Sequence, residues 1–167
     1  MPKGIQFLID ANALLDYDNA ECGYVICAFS EHVGKVVVPA NVAQTELMTV
    51  KPSKLRQWGV EVFDISLSQL QQATVLSGPR DVRDNSCLVI AKEEGGAVIT
   101  SDKRLRKRCH AHCIHVLWAL EMVVEVVKVH ALTKRKAQSV LASFHRTDPY
   151  FYTDNLIKGY LEQLKRI

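Results

Sequence analysis

The stretch FLIDANALLD, residues 7–16, contains the end of an apolar run and an acid placed directly after it. Residues 7–9 are typical of a buried strand, and a second apolar run begins at Ala13. A carboxylate at Asp10, beside a core, is costly to desolvate unless hydrogen bonds or a cation compensate it. The stretch therefore predicts a strand that ends at an acid with a compensating partner.

Similar short apolar runs recur along the chain, and segments with helical spacing separate them. This alternation is typical of an α/β protein with a parallel sheet, here of about five strands. After Trp118 the spacing is helical only, which predicts a set of C-terminal helices. The predicted strands are GIQFLID (4–10), KVVVP (35–39), VEVFDI (60–65), AVIT (97–100) and HCIHVLW (112–118).

The length of 167 residues and the hydrophobic content of 48% favour one domain over residues 1–167. Its sheet core is expected at about 4–118 and its helical part at about 119–167. The net charge of +3 is too small to indicate nucleic-acid binding by itself. Five cysteines and the absence of a signal-peptide pattern predict reduced thiols in a cytoplasmic protein. An uninterrupted apolar window of about 18 residues is also absent, so no membrane association is expected.

Four acids occupy positions from which they can meet at one edge of the sheet. Asp10 and Asp102 follow the first and fourth strands, and the carboxyl ends of parallel strands gather at the edge where ligands bind. Glu46 lies in the helix after the second strand, and Asp84 begins the helix DNSCLVIAKEEG. Clustered carboxylates repel one another, and a divalent cation relieves the repulsion. Oxygen ligands alone favour Mg²⁺ or Mn²⁺.

Three of these segments and their spacing resemble a PIN domain, in particular the toxins of VapBC toxin–antitoxin pairs. The segments are FLIDANALLD, NVAQTEL and DNSCLVIAKEEGGAVITSDKRLR, and the tail DPYFYTDNLIKGYLEQL is similar to the ends of some members. The resemblance implies a three-layer α/β/α fold and a metal-dependent ribonuclease. Its catalytic acids would be Asp10, Glu46, Asp84 and Asp102, with Asp10, Asp84 and Asp102 as metal ligands and Asn12 and Thr100 as polar neighbours.

The resemblance also implies partners: an RNA substrate, a cognate antitoxin and a second copy of the chain in a homodimer. Two alternatives stay open, a PIN nuclease of RNA processing and a PIN module that binds RNA or protein without cutting. Asp81 precedes Asp84 by three residues, but the spacing to Ala91 favours Asp84 as the third acid. Many relatives have a further acid just after the fourth, where this chain has Lys103 and Arg104. Both one and two metal ions at the site therefore stay open at this stage.

The run KRLRKR, residues 103–108, places five cations directly after Asp102. On a helix, Leu105 and Cys109 would face inward and leave the cations outside. About half of these cations are expected to be solvated surface charges. The candidates for contact with RNA phosphates are Lys103, Arg104 and, near Asp84, Arg83.

Two competing interpretations have weaker support. CHAHCIH, residues 109–115, has Cys109 and Cys113 at the spacing of a zinc hairpin, but no second pair follows, and the segment is better explained as the last strand. In a response-regulator receiver, Asp64 would accept a phosphoryl group and Thr100 would be its hydroxyl partner. However, the first strand ends in one acid rather than a pair. Signatures of nucleotide triphosphatases, dinucleotide oxidoreductases, zinc proteases and serine hydrolases are absent.

Overall fold

A five-stranded sheet, in which all paired strands are parallel, forms the centre of the computed structural model. The structure describes residues 7–45, 47–77 and 82–167. The strand order is β3-β2-β1-β4-β5. This arrangement confirms the predicted α/β class with a parallel sheet. The strands are β1 (Phe7–Ile9), β2 (Val36–Pro39), β3 (Val60–Phe63), β4 (Ala97–Thr100) and β5 (Val116–Trp118).

Helices connect the strands and continue after β5. Within the described ranges, none of them has both the length and the apolar character needed to cross a membrane. The helices are α1 (Ala11–Asn19), α2 (Gly23–His32), α3 (Ala40–Thr45), α4 (Pro52–Gln57), α5 (Leu67–Ser77), α6 (Val82–Glu94), α7 (Lys103–Ala111), α8 (Ala119–Lys128), α9 (Lys134–Thr147) and α10 (Asp154–Arg166).

Alternate residues of the central strands face two separate cores, which gives the three layers. Phe7 and Ile9 of β1 belong to the core on the side of α1, α2 and the C-terminal helices α8, α9 and α10. Leu8 belongs to the second core, with apolar side chains of α6 and α7. Both faces of β1, β2 and β4 are thus covered, and this explains why these strands are almost continuously apolar in sequence. The C-terminal helices pack on the same core as the sheet.

The predicted strand over residues 112–118 is wrong in its first half. Helix α7 extends to Ala111, and the amide of Ile114 donates to the carbonyl of Cys109 at 2.9 Å to close the helix end. Cys113 has a φ of +57°, so the chain turns there and β5 begins only at Val116. The alternation of His and Cys that suggested a strand is therefore produced by a helix end and a turn. Cys109 is buried in α7, whereas Cys113 is exposed.

Two further details of the helical pattern differ from expectation. The helix after β2 ends at Thr45, and the buried residues Leu47 and Val50 belong to the connection that follows. In α5, Leu67 is 72% exposed, although its helical spacing with Leu70 and Ala73 predicts that it faces the core. Gln69 is buried, and its side-chain amide donates to Glu93 of α6 at 2.7 Å. This hydrogen bond satisfies the buried amide, so a polar residue can occupy this position.

Candidate active site

The strand order places one crevice at the carboxyl edge of the sheet. From β1 the chain moves outward through β2 to β3, and then it returns to place β4 and β5 on the other side of β1. Ligands of open α/β sheets bind at such a reversal, between the ends of the two neighbouring strands. Asp10 directly follows β1, and Thr100 is the last residue of β4. Asp64 follows the edge strand β3 instead, and the order differs from the 2-1-3-4-5 order of receivers.

Asp10 is a buried acid at this crevice, with only 3% of its surface exposed. Its backbone amide continues the sheet by donating to the carbonyl of Ile99 at 3.0 Å. Its Oδ1 accepts a hydrogen bond from the amide of Ala13 at 2.8 Å, so Asp10 also caps the N-terminus of α1. These contacts fix the carboxylate at the junction of β1 and α1, where the short apolar strand ends.

Thr100 connects the two strand ends. Its hydroxyl donates to Oδ2 of Asp10 and accepts a hydrogen bond from the amide of Asp102 at 2.9 Å. The side chain of Asp102 in turn accepts from the amide of Arg104 at 2.7 Å and caps α7. One buried hydroxyl therefore fixes Asp10 relative to the backbone of Asp102, although 90 residues separate Thr100 from Asp10.

The electrostatic environment of Asp10 is unfavourable for its charged form. The pKa of Asp10 is raised from 3.8 to about 7, mainly by burial and to a smaller extent by the negative charges of Asp84 and Asp102. Hydrogen bonds from Thr100 and Ala13 act in the opposite direction but do not offset the burial. Both other acids therefore lie within electrostatic range of Asp10. A carboxylate in this position is stabilised by any cation that approaches it.

The raised pKa of Asp10 predicts a specific dependence of stability on pH. Between the unfolded-state value of 3.8 and about 7, the folded chain retains a proton that the unfolded chain releases. The contribution of Asp10 to the free energy of unfolding therefore falls as pH rises through this interval. Above the interval it no longer changes with pH. We expect the melting temperature of wild type, measured in EDTA, to fall relative to that of Asp10→Asn across this interval. A difference in melting temperature that does not change with pH would contradict the raised pKa of Asp10.

The remaining candidate residues lie around the crevice. Asp84 is half-buried in the first turn of α6, and Asn12 is exposed in α1. Lys103 and Arg104 are exposed in the first turn of α7, and Arg83 is exposed beside Asp84. The structure thus brings Asp10, Asp84 and Asp102 into one electrostatic neighbourhood. Glu46, Asp81 and Gly78 to Arg80 lie outside the described residues.

Side chains next to Asp84 attach the start of α6 to its neighbours. Asn85 is buried, donates to the carbonyl of Ala73 at 2.7 Å and accepts a hydrogen bond from the guanidinium of Arg108. One cation of the KRLRKR run therefore has a structural role. Asn41, at the start of α3, donates to the hydroxyl of Ser86 at 2.8 Å, which links the helix after β2 to α6. These contacts hold the turn that presents Asp84.

A cleft of about 410 Å³ lies beside Asp102, and sequence reasoning missed part of its lining. The phenol of Tyr152 donates to Oδ2 of Asp16 and lies 3.1 Å from the hydroxyl of Ser101. Burial raises the pKa of Asp16, while the hydrogen bonds from Tyr152 and Ser101 lower it. Asp16 follows Asn12 by four residues on α1, so helical periodicity alone would place it on the same face. The cleft is lined by Asn12, Asp16, Ser101, Asp102, Lys103, Asp148 and Phe151.

The contact between Tyr152 and Asp16 predicts a measurable contribution to stability. Tyr152→Phe removes the hydroxyl and leaves a half-buried carboxylate without that donor, so the free energy of unfolding should fall by about 1 to 2 kcal/mol. Tyr150→Phe is the matched control, because Tyr150 is 95% exposed and its loss of a hydroxyl should change nothing. Urea unfolding of both variants measures the difference. Equal unfolding curves would show that the hydrogen bond contributes no net stability.

The side chains around Asp10 offer oxygen atoms to a divalent cation. Among the described residues, no three His, Cys, Asp or Glu side chains lie close enough together to hold a metal ion by themselves. Mg²⁺ does not require such a cage, since it binds through one or two carboxylates, several waters and substrate phosphates. The available donors are carboxylate and hydroxyl oxygens, and Asn41 has a buried side-chain oxygen without a hydrogen-bond partner. The chemistry of these donors fits a hard cation such as Mg²⁺ or Mn²⁺.

The sheet order, the three layers and the helices after β5 define a PIN-like fold. The chain is similar to a solved structure of a PilT N-terminus domain protein from the hyperthermophilic archaeon Sulfolobus solfataricus P2, with a TM-score of 0.52. The alignment covers 73% of this chain and 93% of that chain at 13% sequence identity. No protein-family model matches the sequence, and no curated protein does. The structural similarity shows a shared fold.

Proposed function

We propose that this chain is a metal-dependent endoribonuclease that hydrolyses phosphodiester bonds of RNA. The observation that supports this most directly is Asp10, a buried acid at the strand reversal whose pKa is raised to about 7. Such a carboxylate is costly to the fold, and groups with strongly perturbed pKa values in a cleft are typical of functional sites. The PIN-like fold supports a nuclease as the class of protein.

In the proposed mechanism, Asp10, Asp84 and Asp102 would hold Mg²⁺ or Mn²⁺, directly or through its bound waters, and Glu46 would act as a further ligand or support one from outside the coordination sphere. A bound cation of this kind would lower the pKa of a bound water, so that hydroxide forms as the nucleophile near neutral pH, and would place positive charge near the leaving oxygen. Thr100 keeps the carboxylate of Asp10 in place through its hydroxyl. Asn12, at the mouth of the cleft, orients water or substrate.

Cations near the cleft provide contacts to the RNA backbone. Lys103 lines the cleft next to Asp102, and Arg104 is exposed one residue further along α7. Arg83 is exposed beside Asp84 at the start of α6. We propose that these three side chains bind phosphates. RNA binding should therefore weaken as salt concentration rises, because each phosphate contact releases counterions.

The direct test of the proposal is incubation of the purified protein with single-stranded RNA and Mg²⁺. We expect internal cleavage of the RNA, because acids and a cation together can catalyse it. The products are detected as discrete fragments on a denaturing gel. Single-stranded DNA of the same sequence serves as the comparison substrate. RNA binding without cleavage at any Mg²⁺ or Mn²⁺ concentration would indicate a non-catalytic module instead.

Within this class, we propose the toxin of a type II toxin–antitoxin pair that acts in the cytoplasm, on the basis of the sequence resemblance. A small antitoxin would then cover the C-terminal helices or insert a basic residue among the acids, and the chain would form a homodimer. A neighbouring small reading frame whose product restores growth of cells that express this chain would support this. Growth that is unaffected by expression, together with RNA cleavage in vitro, would favour a nuclease of RNA processing.

A further inference from the structure

An aromatic side chain, Phe151, forms part of the wall of the cleft beside Asp102. It lies between Tyr150 and Tyr152 in the segment that connects α9 and α10. Phe151 lines the cleft together with Asp102 and Lys103, and 38% of its surface remains exposed. An exposed ring beside charged side chains contributes little to a core, and exposed apolar surface at a cleft commonly marks a binding site.

The ring of Phe151 is held in a fixed position. It packs edge-on against the ring of Tyr152, with centroids 4.9 Å apart, and it stacks on Trp118 at 6.5 Å with an interplanar angle of 24°. Tyr152 is itself buried and donates a hydrogen bond to Asp16. Its ring packs edge-on against that of Phe144 in α9, with centroids 4.9 Å apart. Tyr152 and Trp118 therefore hold Phe151 in place on the protein side, while part of the Phe151 side chain is exposed to solvent.

Positive charge accompanies these rings. The guanidinium of Arg106 lies 4.1 Å from the ring centre of Trp118, and the exposed Lys103 lines the cleft next to Phe151. Proteins that bind single strands of nucleic acid combine cations that follow the phosphates with aromatic rings on which the bases stack. The cleft contains both elements next to the acid that is proposed to hold the metal.

We infer that Phe151 is a base-stacking residue, which holds an unpaired base of the RNA next to the phosphate bound at Asp102 and Lys103. This inference rests on the proposed function. It assigns the segment between α9 and α10 a role in positioning the substrate, in addition to covering the core. A nucleotide offers the flat face of its base to the ring of Phe151 and its phosphate to Lys103 and to the cation that the acids of the cleft would hold.

The test uses a fluorescently labelled oligo-uridylate with 2′-O-methyl groups, which resists cleavage, and measures its binding by anisotropy. Phe151→Ala should weaken binding by about 10-fold, the effect typical of losing one stacked base. Phe151→Leu retains apolar volume against Tyr152 and Trp118 but lacks a ring, and it should show the same loss. Phe151→Trp retains a stacking face and should bind like wild type.

Tyr24→Ala is the matched control, because Tyr24 is a half-exposed aromatic residue of α2 that does not line this cleft. It should bind the probe as tightly as wild type does. A duplex of the same RNA should be bound equally by wild type and Phe151→Ala, since its bases are not free to stack. Melting curves establish whether each variant is folded. If Phe151→Ala does not fold, Phe151→Leu still tests the inference.

A second readout reports stacking directly. 2-Aminopurine placed at successive positions of the probe should be quenched at one position by wild type, and the quenching should disappear with Phe151→Leu. If Phe151→Leu binds the probe and quenches 2-aminopurine as wild type does, the inference is overturned. RNA binding would then need only the apolar volume of residue 151 and not a ring. If wild type cleaves RNA and Phe151→Leu binds normally, the nuclease proposal survives and this inference fails. If wild type neither binds nor cleaves RNA, both fail.

Discussion

Asp10→Asn should lower metal-dependent RNA cleavage by about 100-fold or more, the effect expected when an inner ligand of a catalytic cation is removed. Asparagine retains the size of the side chain and is as good a helix cap as aspartate, so the hydrogen bond from Ala13 can persist. The substitution removes the negative charge, and it replaces Oδ2, which accepts from the hydroxyl of Thr100, by an amide group that donates. Initial cleavage rates at saturating Mg²⁺ measure the effect.

Asp84→Asn should have a similar effect on cleavage, because the charge of Asp84 acts on Asp10 in the folded chain. Asp64→Asn is the matched control. Asp64 is an exposed acid that follows the edge strand β3, away from the strand reversal, and its replacement should leave the rate unchanged. A comparable loss of activity in Asp64→Asn would show that net charge, rather than a metal site, controls cleavage.

Stability separates a functional role of these acids from a structural one. In EDTA, Asp10→Asn and Asp84→Asn relieve repulsion among carboxylates, so their melting temperatures should equal or exceed that of wild type. If both variants melt well below wild type in EDTA, the carboxylates stabilise the fold and the assignment of the site is wrong. Circular dichroism during heating gives this measurement without reference to activity.

Removal of divalent cations is the second large expected effect. Exhaustive treatment with EDTA should abolish RNA cleavage, because carboxylates alone cannot make water sufficiently acidic at neutral pH. Addition of Mg²⁺ or Mn²⁺ in excess of the chelator should restore the activity. Cleavage that continues unchanged in EDTA would refute the metal mechanism while leaving the PIN-like fold intact.

Binding of the cation is measurable apart from catalysis. Ligands that bind only the folded state stabilise it by mass action, so Mg²⁺ should raise the melting temperature of wild type more than that of Asp10→Asn. Zinc analysis of the same preparation tests the alternative site at Cys109 and Cys113. Stoichiometric zinc that is lost in Cys113→Ser, an exposed position, would show that the chain also has a zinc site.

The acids at the strand ends could be predicted because their positions follow from local sequence. A buried strand must be apolar, so the point at which FLI gives way to Asp10 marks the strand end, and parallel strands align their carboxyl ends. The same reasoning placed Thr100 at the end of β4, next to Asp102. The hydrogen bond from Thr100 to Asp10 is the contact that a parallel pairing of β1 and β4 produces.

Contacts that depend on tertiary packing were not predictable. The exposed Leu67 and the buried Gln69 differ from the helical pattern because Glu93 of another helix satisfies the amide of Gln69. The bond between Tyr152 and Asp16 joins residues 136 positions apart, and no periodicity relates positions in separate elements. The turn at Cys113 depends on a positive φ at a residue that rarely adopts one.

The distance between Tyr152 and Asp16 along the chain has a consequence for biosynthesis. A chain leaves the ribosome from its N-terminus and can begin to fold as it emerges. A nascent chain that has emerged through β5 already contains Asp10, Asp84 and Asp102, but not the segment that forms the cleft wall. The cleft is therefore completed only when Tyr152 reaches Asp16, after the sheet can form. Asp10, Asp84 and Asp102 are therefore close to the translating ribosome and its messenger RNA before the cleft is complete.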